Sequence, residues 1–199
     1  MNDRSAAPGS LALVESLVNT LDLESGADAL DTAEGRARFG LPENPENPEN
    51  PENPENPENP ENPENPESAD AARDAAGEVA RARELRESLR AALLAHAGHP
   101  PHREVTPLGE LLASAPLLVT IDEDDGSARL AAAGAASLLS RTAAAVAEAL
   151  IAGTWTRLKA CEAVTCHWAY YDRSPAGRGR WCSMQVCGAR AKMRRYRAK

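Results

Sequence analysis

The sequence predicts a mainly α-helical N-terminal domain bearing one small β-hairpin, followed by a small α+β module at the C-terminus. Three observations predict it. Apolar residues recur at helical spacing through the first three quarters of the chain, where Phe39 is the only aromatic before Trp155, so packing there rests on Leu, Val and Ala. All four cysteines fall in the last 40 residues, as Cys161-x4-Cys166, a 15-residue spacer, and Cys182-x4-Cys187. Charge divides along the same line: residues 157–199 carry 11 Lys/Arg against two acids, a local +9, whereas the remainder sums to −17. The net charge of −8 is therefore a basic tail on an acidic body.

The body spans residues 10–152. Leu11, Val14, Leu17, Val18 and Leu21 define an amphipathic helix over 10–22. A second, short helix starts at Thr32, a good N-cap, and runs through Phe39. Residues 43–66 are eight copies of Glu-Asn-Pro. Proline at every third position removes backbone donors and biases its predecessor away from helix, so this tract is expected to be a disordered, extended spacer of up to about 74 Å. Its eight glutamates equal the whole net charge. A repeat expansion in a tolerant loop is preferred over a binding tract or an acidic decoy. Helix resumes from Ser68 to Ala97, with Val79, Leu85, Leu89 and Leu93 on its buried side, the intervening Arg and Glu on its wet side, and Gly77 as a weak point. After the break AGHPPH, Thr106-Pro107 reads as a cap and first helical residue for a short helix through Ser114. Residues 117–121 and 127–132 flank an acidic turn and read as a hairpin. An Ala-rich helix from about Ala135 to Ala152 stops at Gly153.

No catalytic constellation is visible in this body, and the chain is not expected to be an enzyme. The acidic turn Asp122–Asp125 lacks the regular ligand spacing of a calcium loop and reads as a solvated turn. His96, His99 and His102 read as helix-end and loop residues rather than a metal cluster. No phosphate-binding glycine loop, nucleophile elbow or zinc-hydrolase helix occurs. No apolar run approaches membrane-spanning length, and the first 21 residues do not read as a secretory signal. A reducing cytoplasm is the expected location. There, paired cysteines at this spacing favour one tetrahedral thiolate zinc site over two disulfides.

The C-terminal module spans 154–199. Cys161, Cys166, Cys182 and Cys187 supply four ligands and no open position, which makes the expected zinc ion structural. His167 is a weaker rival as ligand. Trp168 and Trp181 are expected in the module's core, and Tyr171 is the more open ring. After Cys187 a helix is expected, with Met193 and Tyr196 packing on the module and Arg190, Arg194 and Arg197 forming one basic stripe beside Lys192, Arg195 and Lys199. Arg173, Arg178 and Arg180 in the spacer add a second basic group, with Gly177 and Gly179 letting that loop conform to a nucleic-acid backbone.

Several short strings in this module match a known pattern: Arg157-Leu158-Lys159, Tyr170-Tyr171-Asp172-Arg173-Ser174, Arg180-Trp181-Cys182-Ser183-Met184 and Cys187-Gly188-Ala189-Arg190. Together they resemble the CGNR zinc finger. Ala189 stands where that family usually has Asn, which removes one polar contact and leaves the metal site whole. The body, through Leu17–Asp22 and the Arg-Glu-Leu-Arg-Glu helix around Leu85, resembles the ABATE domain that precedes this finger. The resemblance implies a stress-induced transcriptional regulator. The residues themselves imply a DNA-binding finger, with Arg173, Arg178, Arg180, Arg190, Lys192, Arg194, Arg195 and Arg197 as candidate contacts and the body regulatory or dimerising. Single-stranded RNA binding and a protein-docking module are the alternatives; a small-molecule effector is left unnamed.

Overall fold

The computed structural model describes residues 6–43, 66–134 and 136–198, so residues 44–65 of the Glu-Asn-Pro tract, expected to be an extended spacer, lie outside the described residues. The described chain is mostly helical, with two small antiparallel hairpins and a C-terminal cysteine cluster. No helix among the described residues is long and apolar enough to cross a membrane.

Helix α1 spans Leu11–Val18 and buries Leu11, Val14, Leu17 and Val18. It ends four residues before the sequence expectation. Leu21 instead bridges Asp28 across a turn closed by the bond from Asp22 N to Ala27 O, with Gly26 at φ +76°. Helix α2, Ala33–Ala37, is capped as expected: Thr32 Oγ1 accepts from Gly35 N at 3.1 Å. Helix α3, Pro66–His96, starts two residues before the expected Ser68 and passes through Gly77. Helix α4, Leu108–Leu112, has Pro107 at its cap position. Thr106 does not cap it. Its hydroxyl donates to Glu84 and its carbonyl accepts from Ser88, so the residue ties the loop to α3.

Strands β1 (Leu117–Ile121) and β2 (Ala128–Ala132) pair antiparallel about Val119 and Leu130. Helix α5, Leu138–Ile151, starts at the cap Ser137 rather than at Ala135. It stops where the sequence places the stop. Gly153 takes φ +66°, and the bonds from Gly153 N to Leu150 O and Thr154 N to Ala149 O close the last turn. Strands β3 (Leu158–Ala160) and β4 (Ala169–Tyr171) form the second hairpin, and helix α6 spans Ala189–Arg197. The spacer alone does not make this hairpin: one strand precedes the first cysteine, so the hairpin brackets the first cysteine pair.

One hydrophobic core runs across Gly153. It joins Leu11, Val14, Leu17, Leu30, Leu89, Leu93 and Leu94 of the body to Leu158, Ala160 and Ala169 of the second hairpin. Helix α3 lies at its centre, and this placement overturns the expected wet side. Arg86, Glu87 and Arg90 are buried, at 4%, 1% and 0% exposure. A helix packed on several sides has no single dry stripe, so its charged residues must pair inside. Arg86 donates to Glu87 and to both oxygens of Asp28; Arg90 Nε donates to Glu87 at 3.1 Å. The other Arg90 nitrogens donate to the carbonyls of Val18 (2.8 Å) and His167 (2.9 Å), tying α1 and the first cysteine pair to α3.

Arg90→Ala leaves those two carbonyls bare and weakens the compensation of a buried carboxylate. It is expected to cost about 3–5 kcal/mol, read as a lowered midpoint in urea unfolding of the zinc-loaded chain.

Candidate metal centre and basic surface

The four cysteines converge. All four Sγ atoms lie within 4.8 Å of one another, with Cys166–Cys182 at 3.5 Å and Cys182–Cys187 at 3.7 Å. A tetrahedron with zinc–sulfur bonds of about 2.3 Å has edges of about 3.8 Å, so the quartet fits zinc. Local backbone bonds shape both halves. In the first, Cys161 N donates to Trp168 O, Cys166 N to Ala163 O, and His167 turns the chain at φ +45°. In the second, Ser183 Oγ accepts from Val186 N, and a wide turn over Met184–Gly188 leads into α6. A Cβ on Gly188 would sit 3.1 Å from Met184 Sδ and 3.3 Å from Trp181, so the glycine allows close packing there.

Unmetallated, the thiols of Cys161, Cys166 and Cys187 resist ionisation. The Cys161 thiol is lowered by its hydrogen bond with Cys166, but that with Cys182 and burial carry it up to about 12. Cys166 is raised by hydrogen bonds with Cys161 and Cys182, and Cys187 by burial. A dication among them supplies the opposing charge, so folding of this centre is linked to metal.

His167 is not a ligand. Its Nδ1 lies 2.9 Å from the Cys161 carbonyl, within the knuckle. The other three histidines do not form a metal cluster; each instead joins the body to the finger. His96 Nδ1 lies 2.8 Å from Leu158 O, His99 lies 3.5 Å from Glu162, and the His102 ring meets the His167 ring at a tilt, centroids 5.5 Å apart.

The glycine loop after β4 is pinned rather than free to conform. Lys159 and Asp172, 5% and 4% exposed, pair at 2.9 Å. Lys159 Nζ also donates to Gly177 O, while Asp172 accepts from Ser174 N and Gly179 N. Arg157 adds bonds to the carbonyls of Asp172 and Ser174. A Cβ on Gly179 would lie 2.9 Å from the Asp172 carboxyl, which those donors hold in place. Burial raises the Asp172 carboxyl, but Ser174, Lys159 and Gly179 together hold it well below the usual carboxylate range. Composition registers Arg157, Lys159 and Asp172 only as charges. Asn19 was also missed; its amide mimics a neighbouring strand, donating to Ala169 O and accepting from Ala169 N.

The eight candidate contact residues separate into two groups. Three have partners within the chain: Arg173 reaches Ala6 O and lies over Tyr171, Arg180 pairs with Glu162 and lies over Trp181, and Arg190 binds Glu24 through both oxygens at 2.8 Å. Arg178, Lys192, Arg194, Arg195 and Arg197 are exposed, with no side-chain hydrogen bond or ion pair among the described residues. Arg190, Arg194 and Arg197 line one shallow groove with Val186 and Met193, so the stripe exists. Met193 and Tyr196 do not pack on the finger: they are 52% and 78% exposed, because α6 leaves the zinc site without lying back on it. Trp168 and Trp181 are half-buried, and Trp181 packs against the cysteine cluster.

The cysteine geometry and the buried loop pair fall within one stretch of sequence. Residues 157–199 match the CGNR zinc finger family. No curated protein matches the chain. The CGNR match and the convergent quartet together give one structural zinc ion, held by Cys161, Cys166, Cys182 and Cys187. Zinc here supplies charge and cross-linking, with all four positions taken by thiolates.

Because the residues that match the CGNR zinc finger share their core with the body, Cys166→Ser should lower bound zinc from one per chain to near none. It should also lower the melting temperature of the helical body, followed by far-UV circular dichroism. A second outcome concerns acid. Stability from the depressed Asp172 carboxyl is full above its ordinary value of 3.8 and is lost as pH falls below it. Asp172→Asn should therefore flatten the acid limb of the stability–pH curve while lowering stability at neutral pH.

Proposed function

We propose that the protein is a DNA-binding transcriptional regulator whose CGNR finger contacts duplex DNA through α6 and the 173–180 loop. The observation that carries this reading is α6 itself. None of its residues is buried, and Lys192, Arg194, Arg195 and Arg197 are exposed without an ion pair among the described residues, Arg195 feeling Glu162 only at longer range. Like charges along one short helix repel, and phosphates relieve that repulsion while counterions leave the DNA. A projecting helix also matches the width of the major groove, where Arg194 or Arg197 can reach guanine edges.

Duplex DNA is preferred over single-stranded RNA because the two rings that flank the 173–180 loop, Tyr171 and Trp181, are engaged. Arg173 covers Tyr171 and Arg180 covers Trp181, each at 5.2 Å. The resemblance of the body to the ABATE domain adds a stress-induced role; a regulatory or dimerising body and action in a reducing cytoplasm complete the reading. No catalytic step belongs to this reading.

The test is fluorescence anisotropy of full-length, zinc-loaded protein on random duplex DNA across a salt series. Five free cations on phosphates give a log–log slope of about −4 to −5. Arg194→Gln with Arg197→Gln should make the slope shallower by about 2. Absence of duplex binding at low salt, or an unchanged slope in the double variant, would overturn the assignment; tighter binding to single-stranded RNA would replace it.

A further inference from the structure

We infer that the cleft between the segment after α2 and helices α3, α4 and α5 is a binding site for a small apolar monocarboxylate. The cleft encloses about 550 Å³, within the range of small-molecule sites. Its apolar walls belong to the core rather than the surface: Phe39, Leu41, Ala82, Leu85 and Leu138 line it and are each no more than 8% exposed. Leu111 and Leu139 complete the apolar lining. Neither the zinc centre nor the basic helix uses any of these residues.

One charged group stands in this apolar setting. Arg141, from the first turn of α5, lines the cleft. Its Nη2 donates to the Phe39 carbonyl, and its Nε is buried with no hydrogen-bond partner among the described residues. No carboxylate among the described residues forms an ion pair with it. A half-buried guanidinium without a counter-ion is costly, and a carboxylate with an apolar tail satisfies both the cation and the walls.

The rim narrows the ligand class. Glu78, Arg81 and Glu84 of α3 line the mouth and are exposed; Arg81 pairs with Asp74 at 3.5 Å, and Glu84 accepts from Thr106. Two carboxylates at the entrance oppose a polyanion such as a nucleotide, whereas a single negative charge carried past them meets Arg141. Charge and shape therefore select one carboxylate on an aliphatic or aromatic body.

The test is calorimetric titration of full-length, zinc-loaded protein, without DNA, with octanoate and 2-naphthoate, and with octanol as the uncharged match. Octanoate is expected to bind a single site about tenfold more tightly than octanol, the scale of one charge-assisted hydrogen bond. Arg141→Gln should abolish that preference while leaving octanol affinity in place. Leu111→Trp, which fills the cleft and keeps the cation, should abolish binding of all three and remains decisive if the arginine variant fails to fold. Failure of both carboxylates to bind, equal affinity for octanoate and octanol, or octanoate binding retained in Leu111→Trp would overturn the inference. The readout involves no nucleic acid, so its failure leaves the DNA assignment standing.

Discussion

Burial of strand β3 against α3 is the constraint on which the remaining structure depends. Leu158, Lys159 and Ala160 are all buried, though they lie only a few residues past the helix stop at Gly153. The strand works in two directions. Its apolar side chains complete the core shared with α1 and α3, and Lys159 anchors the glycine loop through Asp172. The chain then enters the first cysteine knuckle, whose far end is held from the body by Arg90 on the His167 carbonyl and by Asn19 on Ala169. A zinc module this small buries little apolar surface alone. Here the helices supply what it lacks, and the metal fixes the loops that the helices do not reach.

Electrostatics sort by depth in the same frame. Inside, Arg86, Arg90, Glu87 and Asp28 are hydrogen-bonded to one another, so the expense of burying them is offset by geometry rather than by bare attraction. At the surface, Arg190–Glu24 and Arg180–Glu162 are open to water and screened by salt. Such pairs contribute little stability but fix direction: Arg190 holds the first turn of α6 to the body while the later turns project.

What was legible in the sequence had a local cause. Thr32 as a cap, Gly153 as a stop, the hairpin about the acidic turn and the cysteine quartet all follow from a few neighbouring residues. What was not legible depended on partners far along the chain. The wet side of α3 was misjudged because periodicity assumes one buried face, and α3 is met by α1, α4, α5 and β3. Gly177 and Gly179 were read as giving freedom, whereas Asp172 makes the second a packing requirement. Met193 and Tyr196 were assigned to a core that α6 never reaches. Pairing of β3 with β4 was hidden because each has only three residues, too short for a pattern of alternation.

These placements make α3 one element that links the body to the finger. Ala82 and Leu85 face the cleft, and in the next turn Arg86, Glu87 and Arg90 begin the bonds that end at the zinc knuckle. If the proposed DNA binding and cleft ligand both hold, the ligand would change DNA affinity only by the difference in its binding to two arrangements of this helix, and the effect would be reciprocal. The buried network favours discrete arrangements over graded ones, because a small slide of α3 breaks several charge-assisted bonds together. His102 adds a further restraint, lying 3.2 Å from Glu87 and against the tilted ring of His167, so it ties the loop after α3 to the helix. Regulation of the finger by the body, in this architecture, is a question of whether α3 has a second seat in the core.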